Sequence, residues 1–350
     1  MMKQNILNFT LEELSDFLVV NKFKKFNAIQ IFQWIYKKRV DSFNEMTNLS
    51  KTLISFLNEN FEFYTLNVKK FQLDPVDETT KFLFELSDGN LIETVLMKFD
   101  YGLSVCVTTQ VGCNMGCKFC ASGLLKKKRN LFAYEIVSQI YSVQKYLDTR
   151  NKQERISNIV VMGIGEPFDN LDEVIKFIRI VNNDNGLQIG WRKITVSTCG
   201  LVNKFEEWQT KMPQVGLAIS LHAPTNEIRN KIMPINRAFN LEKLMDAVKK
   251  YIAVTNRRIT FEYIMLADIN DSIECAKELV QLLNNVLCYV NLIPYNSVKE
   301  NEFKRSKKVK EFANYLTNHH IQVTIRQEKG RNIDAACGQL RAKNVEVKDV

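Results

Sequence analysis

"LSVCVTTQVGCNMGCKFCASG", Leu103 to Gly123, runs from an alternating β pattern straight into three cysteines, Cys113, Cys117 and Cys120. Alternation puts Ser104, Cys106 and Thr108 on one face of the strand. Gly116 lets the loop beyond it fold tightly around something. The same rhythm continues downstream. The β-rich runs "ISNIVVMG", "RKITVST", "VGLAISL", "ITFEYIML", "CYVNLIP" and "IQVTIRQ" alternate with amphipathic helical stretches such as "AYEIVSQIYSVQKYL", "LDEVIKFIRIV", "LEKLMDAVKKYI" and "SIECAKELVQLLNNV". Alternating βα units imply a parallel sheet with helices outside it, closed or partly closed into a barrel. Six or seven units are too few for a complete eightfold barrel. The expectation is an α/β fold built on an open, partial (β/α)6-type barrel, with function at the C-terminal ends of its strands.

Outside this region the period changes. Residues 1–62 read as a small helical domain: Thr10 and Glu13 form a capping box ahead of "LSDFLVV", and "NAIQIFQWIYKK" and "SKTLISFLNENF" carry apolar residues at helical spacing. Residues 63–101 read as a β-hairpin extension, with Asp88-Gly89 a hairpin signal. Residues 102–340 hold the barrel and 341–350 a C-terminal tail.

The bulk properties narrow the class. An apolar fraction of 45% with 25% charged residues over 350 positions is ordinary for a soluble globular protein. No basic n-region with an apolar stretch opens the chain, and no apolar run approaches the length of a membrane span, so a cytoplasmic protein without membrane contact is expected. Eight cysteines in a chain of this length are too sparse for a disulfide scaffold and point to metal or catalysis. The net charge of +9 is spread over "NKFKKF", "YKKRV", "LLKKKRN" and "FKRSKKVK". Short basic blocks beside aromatic and aliphatic residues suit a nucleic acid, whose phosphates take the cations and whose bases take the apolar faces. A solvated lysine-rich surface fits equally.

Three clustered cysteines raise the question of a fourth ligand. A four-iron cubane wants one outside ligand per iron, so three thiolates leave one iron open for a reactant. The rivals are a zinc site completed by His222 and cysteines that are merely buried.

"CNMGCKFC" has the Cys-x3-Cys-x2-Cys pattern with Phe119 before the last cysteine, and it resembles the signature of radical S-adenosylmethionine enzymes. "CVTTQVGCNMGCKFCASG", "VVMGIGEP", "ITVSTCG", "LAISLHAP", "NLIPYN" and "NIDAACGQL" follow in order, and "FNAIQIFQWIYKKRVDSFNEMTNLSK" precedes them. Together they resemble the RlmN family, dual-specificity adenine-C2 methyltransferases of 23S ribosomal RNA and transfer RNA. The likeness covers nearly the whole chain and makes the barrel a radical S-adenosylmethionine barrel.

The resemblance implies a [4Fe-4S] cluster on Cys113, Cys117 and Cys120, with S-adenosylmethionine on the open iron and two of these molecules used per turnover. The first methylates Cys337, flanked by the small residues Ala336 and Gly338. The second supplies a radical that takes hydrogen from the S-methyl group, and the methylene adds to adenine C2, a carbon without a nucleophilic lone pair. Cys106 then resolves the protein–RNA adduct through a transient disulfide with Cys337. Glu93, which interrupts the apolar strand "LIETVLM", where an unpaired carboxylate would be costly unless functional or solvated, matches the proton acceptor. Gly165, Glu166, Ser197, Ser220, Leu221, His222 and Asn296 match cofactor contacts. "GIGEP" fails as a dinucleotide fingerprint because the third glycine is absent. Cys199, Cys275 and Cys288 match nothing functional and read as packing residues. Lys126 to Arg129, after the cluster loop, read as a phosphate contact or a solvated tip. The resemblance further implies an electron donor such as flavodoxin or ferredoxin and a monomeric enzyme. Two alternatives remain: a Cfr-type adenine-C8 methyltransferase, which shares these residues, and a non-catalytic metal-stabilised RNA-binding protein, which has no use for Cys106, Cys337 or Glu93.

Overall fold

The computed structural model of the chain describes residues 3–150, 153–298, 301–335 and 338–340. The N-terminal part is helical, with strand β1 (Gln4–Asn5), helices α1 (Leu11–Val20), α2 (Lys25–Phe32) and α3 (Lys51–Asn60), and strand β2 (Phe61–Glu62), which pairs in parallel with β1. The Thr10–Glu13 capping box forms in full: the Glu13 N–H donates to Thr10 Oγ1 and the Thr10 N–H to Glu13 Oε2. Two of the first orphan donors of α1 are thereby satisfied.

Four antiparallel neighbours follow: β3 (Asn67–Leu73), β4 (Thr80–Glu85), β5 (Leu91–Phe99) and β6 (Gly102–Cys106). The turn between β4 and β5 carries Gly89 at φ +76, a conformation that costs glycine little and explains the Asp88-Gly89 signal. After a small pair, β7 (Gln110–Val111) with β8 (Arg129–Asn130), comes helix α4 (Ala133–Arg150).

The remaining elements are β9 (Ile156–Val161), α5 (Leu171–Asn182), β10 (Ile194–Thr198), α6 (Phe205–Lys211), β11 (Gly216–Ser220), α7 (Asn226–Ile232), α8 (Leu241–Thr255), β12 (Ile259–Met265), α9 (Ile273–Leu282), β13 (Cys288–Pro294), α10 (Val309–Asn318) and β14 (Val323–Ile325). Strands β6, β9, β10, β11, β12, β13 and β14 lie side by side in that order, each parallel to the next. The partial barrel expected from the βα rhythm is therefore present, and β3 to β5 extend the same sheet beyond β6.

Alternation along the strands assigns their faces. Ile92, Leu96, Phe82, Phe84, Leu103 and Val105 join the main core, which runs on without a break into the N-terminal helices through Ile31, Leu53 and Leu57. The opposite faces carry Lys81, Glu93, Val95, Met97 and Cys106, and Val95, Met97 and Cys106 form a second apolar cluster with Ala335 and Leu340. The N-terminal helical part sits on the outer side of α4, where Tyr141 Oη donates to the Val40 carbonyl at 2.7 Å and the Tyr134 N–H to Asn8 Oδ1 at 3.2 Å. No helix among the described residues is long and apolar enough to cross a membrane.

Candidate active site

A cavity opens at the C-terminal ends of the parallel strands, and Cys106, Cys113, Cys117 and Cys120 all line it. Backbone contacts that only glycine permits shape the loop between β6 and the cysteines. Gly112 has φ +78, and a Cβ there would lie 2.2 Å from the Lys126 carbonyl oxygen. The loop folds back as Cys120 N–H donates to the Cys117 carbonyl and Cys113 N–H to that of Leu125. This brings three thiols from eight consecutive residues to one wall, the local consequence of the Cys-x3-Cys-x2-Cys spacing.

The donor set fits a cluster better than a single ion. No three His, Cys, Asp or Glu side chains among the described residues stand close enough together to hold one metal ion. A cubane takes each thiolate on a separate iron, so its ligands need to share a wall without converging on a point. Burial above all pushes the Cys113 thiol up to about 12, and the Met115 N–H offsets only part of that. Burial also raises Cys117, with the charges of Cys120 and Cys113 adding to it. Iron cations would reverse both effects, because a metal ligand is the thiolate.

His222 is a poor zinc ligand. It sits at φ +59, fully inside the wall, edge-on to Phe119 with ring centroids 4.7 Å apart. Its Nδ1 accepts the Ile264 N–H at 3.0 Å. That assignment leaves the proton on Nε2, where no lone pair is available for a metal. Burial, and then the Arg229 charge, lowers its pKa from 6.5 to about 3. The folded value lies below the unfolded one, so between pH 6.5 and about 3 the unfolded chain binds a proton that the folded chain refuses. Burial of His222 should therefore make stability fall as pH falls through that window. His222→Asn keeps an acceptor for Ile264 and suits a positive φ. Its thermal midpoint should gain on that of the parent as pH drops below 6.5. Parallel midpoint–pH curves for the two proteins would refute this.

Of the other cofactor candidates, Gly165, Glu166, Ser197 and Ser220 line the cavity. Gly165 stands at φ +110, where a Cβ would meet the Gln110 side chain at 2.7 Å. Glu166 is buried and its carboxylate accepts the N–H groups of Cys199 and Phe168, both at 2.9 Å or less. Burial raises its pKa, and those N–H bonds oppose the rise. Ser197 and Ser220 hydroxyls face each other at 3.5 Å. Leu221 lies behind the wall, with its N–H on the Glu262 carbonyl. Asn296 lines a smaller adjoining cavity that shares Met97, Ile293, Arg326 and Ala335 with the large one.

Glu93 is buried rather than a solvated strand residue, on the same face of β5 as the cavity-lining Val95 and Met97. It is not left unpaired: Lys81 Nζ stands 3.3 Å from Glu93 Oε1. Cys337 lies outside the described residues, and with it the disulfide to Cys106; no disulfide joins two described residues. Its neighbours are nonetheless anchored at the site. The Gly338 carbonyl accepts the Ala121 N–H at 2.7 Å, and the Leu340 carbonyl accepts Ser122 Oγ at 2.7 Å. Both donors directly follow Cys120.

Three features escaped the sequence reading. Arg229 is fully buried and donates to the carbonyls of Cys199, Ser220 and Leu221, tying together the ends of β10 and β11. Only the fold gathers those carbonyls, so no local signal announces it. Glu262 lines the cavity, accepts from Asn291 at 2.9 Å and stands 3.5 Å from Arg326. Its signal, a carboxylate interrupting the apolar run "ITFEYIML", is the same as that of Glu93. Cys199, read as packing, borders the cavity and holds Glu166 by its N–H. The basic loop is mostly engaged within the molecule: Lys127 pairs with Asp169, and Arg129 with Asp88 and Glu135, each at 2.7 Å.

Comparison with known proteins places this geometry. Residues 4–63 match the ribosomal RNA large subunit methyltransferase N-terminal domain, and residues 107–283 the radical SAM superfamily. The chain is 54% identical over 345 residues to the "Probable dual-specificity RNA methyltransferase RlmN" of Malacoplasma penetrans, covering 99% of this chain and 98% of that one. The protein of the same name from Spiroplasma citri is 57% identical over 342 residues, covering 97% and 98%. A crystal structure of a radical SAM methyltransferase from Sphaerobacter thermophilus superposes with a TM-score of 0.91 at 39% identity, over 97% of this chain and all of that one.

Proposed function

This chain belongs to the RlmN family of radical S-adenosylmethionine RNA methyltransferases, and on that footing we propose that it methylates adenosine C2 in RNA. The substrates in this reading are 23S ribosomal RNA, in the peptidyl-transferase region, and transfer RNA, at the adenosine 3′ of the anticodon. The observation that carries the proposal is the meeting of the three-cysteine loop, Cys106 and the segment on either side of Cys337 at one cavity. A non-catalytic RNA-binding protein would have no use for that meeting.

Cys113, Cys117 and Cys120 would hold a [4Fe-4S] cluster, which with S-adenosylmethionine supplies a carbon-centred radical. Glu166, Ser197, Ser220, Leu221, His222 and Asn296, with the Gly165 backbone, would orient the cosubstrate; the neutral His222 can offer its Nε2–H to it. Cys337 carries the methyl group, Glu93 accepts the C2 proton and Cys106 frees the product. Two molecules of S-adenosylmethionine are used per turnover, one for each methyl and radical role. An electron donor of the flavodoxin or ferredoxin class reduces the enzyme, which acts as a cytoplasmic monomer. The N-terminal helices of residues 1–62 contribute to RNA contact.

The test is nucleoside mass spectrometry of ribosomal and transfer RNA transcripts after anaerobic incubation with the reconstituted enzyme. Adenosine should gain 14 mass units (roughly one CH₂, the net change when a methyl replaces a hydrogen) in a product that co-elutes with 2-methyladenosine. Co-elution with 8-methyladenosine would replace this reading with the Cfr-type activity, and unmodified RNA would leave the binding-protein reading.

A further inference from the structure

The face of β4 and β5 that looks toward the C-terminal segment carries a buried ion pair among the apolar Leu83, Val95 and Met97. Lys81 and Glu93 are 6% and 3% exposed, with Nζ 3.3 Å from Oε1. A second bond runs from the same ammonium to the Asp334 carbonyl at 3.3 Å. Lys81 thus touches both the proton acceptor and the strand of chain that leads, three residues on, to Cys337.

That segment has a separate anchor in the turn between β3 and β4. The Asn332 N–H and Nδ2 donate to the two carboxylate oxygens of Asp74, both at 3.1 Å, and the Gly330 N–H donates to Asp77 Oδ2 at 2.9 Å. Gly330 stands at φ +65, and a Cβ on it would meet Ala335 at 2.6 Å and Thr79 at 2.9 Å. The chain there is held without Lys81. A lysine buried at this depth is costly to desolvate, so its presence here calls for a task that packing alone does not require.

We infer that Lys81 is a positioning residue for RNA methylation: its ammonium fixes the Glu93 carboxylate against the Asp334 backbone, so that the acceptor is registered to the cysteine-bearing segment. The inference rests on Glu93 being the proton acceptor. Two consequences separate it from a structural role. Methylation of Cys337 does not involve Glu93, and Asp74 and Asp77 hold the segment, so loading of the methyl group should survive loss of the ammonium. RNA modification should not.

The experiment uses reconstituted holoenzyme in four forms beside the parent: Lys81→Met, Lys81→Arg, Glu93→Gln and the double variant Lys81→Met/Glu93→Gln. Protein methylation is read by intact mass and peptide mapping, and RNA methylation by single-turnover kinetics on a transfer RNA transcript. Lys81→Met should slow RNA methylation by about tenfold or more while Cys337 loading stays within about twofold, in line with the contribution of a placed general base. Lys81→Arg should restore most of the rate. In the double variant, Lys81→Met should add nothing to the Glu93→Gln defect, because both changes remove the same interaction. That variant also buries no lone charge, so it remains informative should Lys81→Met fold poorly. Additive slowing in the double variant, a normal rate for Lys81→Met beside a slow Glu93→Gln, or loss of Cys337 loading along with RNA methylation in the double variant would each overturn the role of Lys81. A normal rate for Glu93→Gln would instead remove the proton-acceptor assignment, and this inference with it.

Discussion

In anaerobically reconstituted protein, alanine at Cys113, Cys117 or Cys120 should abolish the iron–sulfur absorption and, with it, reductive cleavage of S-adenosylmethionine. In the proposed assignment each thiolate would take a different iron of the cubane, so none could stand in for a missing one. The bare site works against a stray charge, since burial above all holds the Cys113 thiol up at about 12. The fold should outlast the loss, because the loop is also tied by the Ala121 bond to Gly338 and the Ser122 bond to Leu340. Circular dichroism of the alanine variants should therefore match the parent while their iron content drops. Stoichiometric zinc without iron in natively purified, anaerobic protein would overturn the cluster assignment, and retained iron in an alanine variant would remove that cysteine from it.

The second large effect separates Cys106 from Cys337. Cys337→Ala should carry no protein methyl group and form no RNA adduct, since the carrier sulfur is gone before any bond to C2 can form. Cys106→Ala should stall with RNA attached through Cys337. Release from that adduct needs a thiolate to attack the Cys337 sulfur. A disulfide then forms, the electron pair of the carbon–sulfur bond passes to the methylene carbon, and a proton completes the methyl group. Cys106 lines the large cavity and shares an apolar cluster with Ala335 and Leu340, so the C-terminal segment lies over it. Denaturing electrophoresis with labelled RNA, followed by peptide mass spectrometry, reads both outcomes. The same result from both alanine variants, adduct or none, would show the two roles to be wrongly divided.

Much of the fold was legible in one dimension. The alternation of short β runs with amphipathic helices implied the parallel sheet of β6 and β9 to β14, because hydrophobic period reports which surface each segment must bury. The Thr10–Glu13 cap and the Asp88-Gly89 turn were legible for the same reason: their hydrogen bonds and dihedrals close within a few residues. So was the three-cysteine loop, whose ligands all fall within eight consecutive residues. The tertiary structure alone decided what comes from far along the chain. The pairing of Lys81 with Glu93, the clamp of Asp74 and Asp77 on residues 330 and 332, and the gathering of three carbonyls by Arg229 each join groups whose separation in sequence carries no periodic signal. Nor could the chain itself tell that Glu93 is buried and compensated while the charges of Lys127 and Arg129 are spent on internal carboxylates. Burial and charge pairing depend on every layer packed against a side chain, and those layers exist only once the sheet has closed around its cavity.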